Sequence, residues 1–198
     1  GVAVVDSGIN DSIADFNASS GTSRVQTSVD FLKVKDPNQD SLGHGTHVAG
    51  IIGGNGSILN GKYIGVAPKV NLISVRVNNA LSAAMESNVV AGLQWIYNNR
   101  KTYNIRIVNL SMNNSGAQSY QTSPLDAACE ILWFNGIVVV TSAGNSGAGA
   151  LYAPANDPFV ITVGATDDLG TVSLADDVVA SFSAYGKTSD GFSKPDLV

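Results

Sequence analysis

The sequence predicts an α/β fold with a mainly parallel central sheet and helices on both faces. Two observations carry that expectation. Short β-branched runs alternate with longer helical patterns, and the runs are continuously apolar rather than alternating. Strands covered on both faces read that way, and repeated strand–helix–strand units wind into parallel sheets by right-handed crossovers. No internal repeat, low-complexity tract or linker breaks the 198 residues, so one domain is expected.

The expected strands cover residues 2–5, 70–77, 105–110, 137–141 and 159–163. A helix is expected over 44–52. A second should begin at Ser82 and run to about Arg100, with Met85, Val89, Leu93 and Ile96 as its apolar stripe. A third opens on Ser123-Pro124, an N-cap followed by proline at the first helical position. Leu125, Cys129, Leu132 and Trp133 form its buried face, and Asn135-Gly136 ends it.

Composition excludes several classes. Hydrophobic residues make up 44% and charged residues 14%, which is globular rather than disordered. The net charge of −5, without clustered Lys or Arg, argues against nucleic acid. No apolar run approaches the roughly 20 residues of a membrane span. The single cysteine, Cys129, permits no disulfide within the chain. The chain opens inside an apolar strand and stops at Lys194-Pro195-Asp196-Leu197-Val198, so it reads as a piece of a longer protein. Its compartment, secreted or cytoplasmic, is therefore left open. A monomer is expected.

Three segments bear chemistry. Asp6 ends the first strand, where open α/β sheets bind ligands, although alone it reads as a turn residue capping the strand end. Gly43-His44-Gly45-Thr46-His47-Val48-Ala49-Gly50 holds both histidines of the chain. They are spaced three apart, whereas metal-binding helices favour i, i+4 with an acid between, and here Asp40 is the nearest acid. Glycines on both sides of His44 suit a residue open to substrate. Thr141-Ser142-Ala143-Gly144-Asn145-Ser146-Gly147 follows a buried strand, and its Asn amide suits a developing oxyanion, although Asn and Gly also make ordinary turns.

Val4-Val5-Asp6-Ser7-Gly8-Ile9, the eight-residue His block and Ala143-Gly144-Asn145 together resemble the Asp, His and Asn motifs of the subtilisin-like serine protease family, in that family's order. Gly65-Val66-Ala67-Pro68, Val108-Asn109-Leu110-Ser111, Ser181-Phe182-Ser183 and Lys194-Pro195-Asp196-Leu197 are similar to further family blocks. The resemblance implies a serine endopeptidase acting on polypeptides. In it His44 is the general base and acid, Asp6 orients the imidazole, Asn145 is an oxyanion donor, and His47 has a structural role. It also implies that Ser111-Met112-Asn113 and Ser142-Ala143-Gly144 wall the main side-chain pocket, with Ser82-Ala83-Ala84 on an outer substrate strand. Neither wall carries an acid, so a neutral, roomy pocket for apolar or aromatic side chains is expected.

The family's nucleophile lies in a Gly-Thr-Ser block after the Pro-Asp-Leu-Val segment. Gly21-Thr22-Ser23 stands between Asp6 and His44, the wrong order, and is read as a loop. Residues 1–198 alone are thus expected to be inactive. Asn10-Asp11-Ser12-Ile13 stands where many relatives have His-Pro, which changes a surface loop. Asn113 stands where many have Gly, so it either narrows the cleft or points outward.

A protease-like peptide binder without a nucleophile is the alternative, and the presence of Asp6, His44 and Asn145 together argues against it. A nucleotide binder would need a glycine-rich phosphate loop after the first strand, which is absent. No cofactor is needed for the chemistry. Structural calcium occurs in the family, and the places for it are Asp167-Asp168, Asp176-Asp177 and residues 55–60. Exposed acidic turns explain these better, and no metal ligand is assigned.

Overall fold

A computed structural model describes residues 1–32, 39–79, 81 and 84–198. The chain forms two compact units, Gly1–Asn109 and Leu110–Val198.

In the first unit, β1 (Val2–Asp6) is followed by β2 (Val25–Asp30), α1 (His44–Gly53), β3 (Leu72–Arg76), α2 (Glu86–Asn99) and β4 (Ile107–Leu110), which reaches the boundary. The strand order is β2-β3-β1-β4. β1 and β3 run parallel, from Val2 opposite Leu72 to Asp6 opposite Arg76. Every residue of both is buried, which is why their sequences are mainly apolar, with Asp6, Ser74 and Arg76 as the buried polar exceptions. Both α1 and α2 pack against β1. β2 lies parallel to β3 at the sheet edge. Its burial alternates residue by residue, so the continuous-run criterion passed over it.

A cluster of Val4, Ile9, Phe16, Val25, Ala49 and Leu72 fastens α1 to the sheet. Arg24 then ties the far end of that helix. Arg24 is 7% exposed, and its guanidinium donates to the carbonyls of Val70 (2.9 Å), Asp15 (2.8 Å) and Gly53 (2.5 Å). Gly53 is the last residue of α1, so a cation meets the negative end of the helix dipole. Gly21-Thr22-Ser23 is a turn leading into this anchor and not a helix start.

In the second unit, α3 (Pro124–Phe134), β5 (Val138–Ser142) and β6 (Ile161–Val163) succeed one another, and β6 pairs parallel with β5. The ribbons β7 (Thr166–Asp167) with β8 (Val178–Val179), and β9 (Gly186–Lys187) with β10 (Ser193–Lys194), are antiparallel. The Ser123 hydroxyl accepts from the Asp126 amide at 3.2 Å and caps α3. Gly136, at φ +80°, turns the chain out of it.

Two expectations are corrected. α2 begins at Glu86, not 82, and Met85 is 69% exposed, while Val89, Leu93 and Ile96 are buried. Ser82 lies outside the described residues. On α3, Trp133 is only half-buried, and the fourth buried position belongs to Asp126.

Candidate active site

Asp6 closes β1, fully buried. Its Oδ1 accepts from the Ser7 amide (2.7 Å) and the Ser7 hydroxyl (3.1 Å), and lies 2.7 Å from His44 Nδ1. Asp6 Oδ2 has no hydrogen-bond partner among the described residues. The His44 side chain is 46% exposed against 0% for Asp6. One face of the imidazole pair is thus dry and the other open to solvent. With Nδ1 bonded to a carboxylate, the ring proton sits on Nδ1, and Nε2 is the basic nitrogen left free.

This contact depends on how α1 starts. Gly43, the residue before the helix, has φ +84° and no side chain to cap with. Asp40 supplies the cap instead. Its Oδ1 accepts from Gly43 N (2.9 Å), and its Oδ2 from Thr46 N (2.8 Å) and Thr46 Oγ1 (2.6 Å). Thr46 Oγ1 in turn accepts from Asn10 N at 2.9 Å, and Ser7 Oγ accepts from Gly45 N at 3.0 Å. The first turn of α1 is therefore stitched to the loop that follows Asp6. Asp40, Ser7 and Thr46 carry this geometry. The sequence signal for this cap is an acid three residues before a glycine at a helix start.

Gly45 is buried and not exposed to a ligand: a Cβ there would overlap the Gly8 carbonyl and stand 3.0 Å from Asp6 Cβ. Gly45 thus serves close packing, whereas Gly43, exposed and with open space around it, serves the positive φ of the turn into α1. His47 is exposed beside a cleft of about 360 Å³ that includes Ile51, Tyr63 and Val66, so it is not a core histidine.

The remaining site expectations fall in three places. Asn145 is exposed just after β5, and no described residue hydrogen-bonds its side chain. Ser111, Met112 and Asn113 are half-buried after β4; Ser142 and Gly144 are half-buried at the end of β5, and Ala143 is buried. Ser82 and Ala83 lie outside the described residues, while Ala84 is exposed and bridges Asn78.

Among the described residues, the side chains in the acidic turns named for calcium bond within those turns. Asp167 and Asp168 accept from the amides of Leu169 and Gly170, and Asp176 accepts from the Thr171 hydroxyl. In the 55–60 stretch, Asn55 Oδ1 accepts from Ser57 N, and Asp15 Oδ1 accepts from Ser57 Oγ and Ile58 N. These oxygens hold turns. Among the described residues no three His, Cys, Asp or Glu side chains converge, and no helix is long and apolar enough to cross a membrane.

A second group of buried acids lies away from His44. Asp126 is fully buried, with Ser123 and Asn156 the polar side chains beside its carboxylate, neither of which meets it in good hydrogen-bond geometry. Burial, reinforced by Asp157 and Glu130, pushes its pKa up to about 7. Asp157 is raised to about 6, chiefly by burial.

The family model of the Subtilase family matches residues 1–198. The serine protease AprX of Bacillus subtilis is 39% identical over 204 residues, covering 100% of this chain and 45% of that protein. Subtilisin Savinase of Lederbergia lenta is 35% identical over 190 residues, covering 96% of this chain and 61% of that one. The fold matches the crystal structure of a cold adapted subtilisin-like serine proteinase with TM-score 0.72 and 32% identity, over 94% of this chain and 59% of that chain. An S41 psychrophilic protease matches with TM-score 0.75 and 26% identity, over 93% and 58%. The chain thus spans about half the length of the proteins it matches. With the Asp and His blocks in contact and this similarity running end to end, the chain has a subtilisin-like α/β fold and belongs to the subtilase family.

Proposed function

We propose that this chain is the Asp- and His-bearing part of the peptidase domain of a serine endopeptidase that hydrolyses peptide bonds in polypeptides. The observation that supports the reading most is the 2.7 Å contact between His44 Nδ1 and Asp6 Oδ1. His44 Nε2 takes the proton of a serine hydroxyl as the oxygen attacks the scissile carbonyl, and returns it to the leaving amine. Asp6 keeps the imidazole in the tautomer that leaves Nε2 basic, and stabilises the imidazolium. The Asn145 amide donates to the oxyanion as it forms. The serine comes from sequence outside residues 1–198, since Gly21-Thr22-Ser23 stands in the wrong order. No cofactor takes part.

Ser111-Met112-Asn113 and Ser142-Ala143-Gly144 wall the pocket for the side chain at the cleaved position. Without a carboxylate in either wall, the pocket favours neutral over cationic side chains.

The test is expression of the full-length protein alongside residues 1–198 alone. The full-length protein should hydrolyse a chromogenic peptide and react with a serine-directed phosphonate, and His44→Ala should abolish turnover by about 10⁶-fold, a magnitude carried over from subtilisin. Residues 1–198 alone should do neither. A full-length protein that binds peptides without turnover or labelling would overturn the endopeptidase reading.

A further inference from the structure

Asn113 is the one polar amide in the two segments assigned to the pocket walls, and both segments lie in the second unit. Both ends of its amide bond to the opposite wall. Nδ2 donates to the Ser142 carbonyl at 2.9 Å, and Oδ1 accepts from the Ser142 hydroxyl at 3.1 Å. Two bonds to one residue, one from each end of the amide, fix both side-chain torsions and set the plane of the group. Its backbone neighbour is anchored too, since Asn114 N donates to the Ala153 carbonyl at 2.8 Å.

The amide also reaches over the next part of the wall. Gly144 has φ +103°, and a Cβ built there would stand 3.3 Å from Asn113 Oδ1 and 3.7 Å from its Cγ. Asn113 therefore points inward and lies across Ser142 and Gly144.

We propose that Asn113 is a specificity-determining residue that crosses the gap between the walls and shifts preference at the cleaved position from aromatic to short side chains. The proposal rests on the endopeptidase reading and on the wall assignment above. The Ser142-Ala143-Gly144 wall is built of small residues and by composition leaves room for a ring. The amide occupies part of that room. An incoming ring offers no hydrogen bonds to replace the two it would displace, and buried polar groups left unpaired are what make a site reject a mismatched group. A methyl side chain leaves the bridge intact.

The test uses the full-length enzyme and a matched pair of peptides with Phe or Ala at the cleaved position. Wild type should favour Ala in kcat/KM. Asn113→Gly should raise the Phe-to-Ala ratio by about tenfold or more, within the about 10–200-fold that a local size mismatch is worth. Ser142→Ala removes one of the two bonds and should move the ratio the same way by less. A merely structural tie would lower Tm and leave the ratio unmoved. An unmoved ratio in an Asn113→Gly enzyme that still reacts with a serine-directed phosphonate overturns the proposal alone. Should Asn113→Gly not fold, an unmoved ratio in Ser142→Ala overturns it. A wild-type enzyme with neither turnover nor labelling overturns the endopeptidase reading, and this proposal with it.

Discussion

Gly45 and Gly8 meet backbone to backbone: the first turn of α1 rests on the loop after Asp6 so closely that a Cβ on Gly45 would overlap the Gly8 carbonyl oxygen. The 2.7 Å contact between His44 and Asp6 exists because this approach is possible. Gly45→Ala must therefore push α1 away from β1. A displacement of about 1 Å at a catalytic group costs on the order of 10²-fold in rate, and kcat of the full-length variant should fall at least that far. Steady-state kinetics with a chromogenic peptide would check it, and a wild-type kcat would show that the close packing is dispensable.

The exposed Asn145 amide is expected to act on the transition state and not on bound substrate. In the full-length protein, Asn145→Ala should lower kcat by about 10²–10³-fold with little change in KM, a magnitude carried over from subtilisin. An unchanged kcat would remove Asn145 from the mechanism.

Arg24 acts far from the chemistry, through the C-terminal end of α1. Arg24→Ala leaves the buried carbonyl of Gly53 and the part-buried carbonyls of Val70 and Asp15 without this donor. At about 1–3 kcal/mol for an unsatisfied buried group, a loss of about 3 kcal/mol is expected. Urea denaturation would measure it. Arg24→Lys should recover only part, because a point charge cannot match the fork of a guanidinium.

Asp126 makes stability depend on pH. Its pKa is 3.8 in the unfolded chain and is raised to about 7 by burial in the folded one. Between about pH 4 and 7 the folded state therefore holds a proton that the unfolded state has released, so stability falls as pH rises through that window. Asp157, Glu130 and Cys129 surround this acid, and Lys194 acts on Asp157. Asp126→Asn keeps the shape without the charge, so it should flatten the Tm profile across the window. It should also raise Tm at pH 8, by about 2–4 °C for each kcal/mol relieved. A variant with the wild-type slope would show that Asp126 does not titrate there.

The sequence alone determined the parts of this protein whose cause is local. β1 and β3 were legible because burial on both faces demands mainly apolar residues, and α3 because Ser123-Pro124 and Asn135-Gly136 mark its ends. Asp6 and His44 were legible because their blocks are short and distinctive. The tertiary structure decided what depends on residues distant in sequence. β2 escaped because an edge strand with one covered face alternates, and only its pairing with β3 identifies it. α2 was extended too far because its start carries no side-chain cap, so apolar spacing was followed onto the exposed Met85. Asp6 and His44 stand 38 residues apart. Their contact, the Asp40 cap, the Arg24 tie and the inward turn of Asn113 arise from packing between segments, and no window of sequence contains the free energy of such contacts.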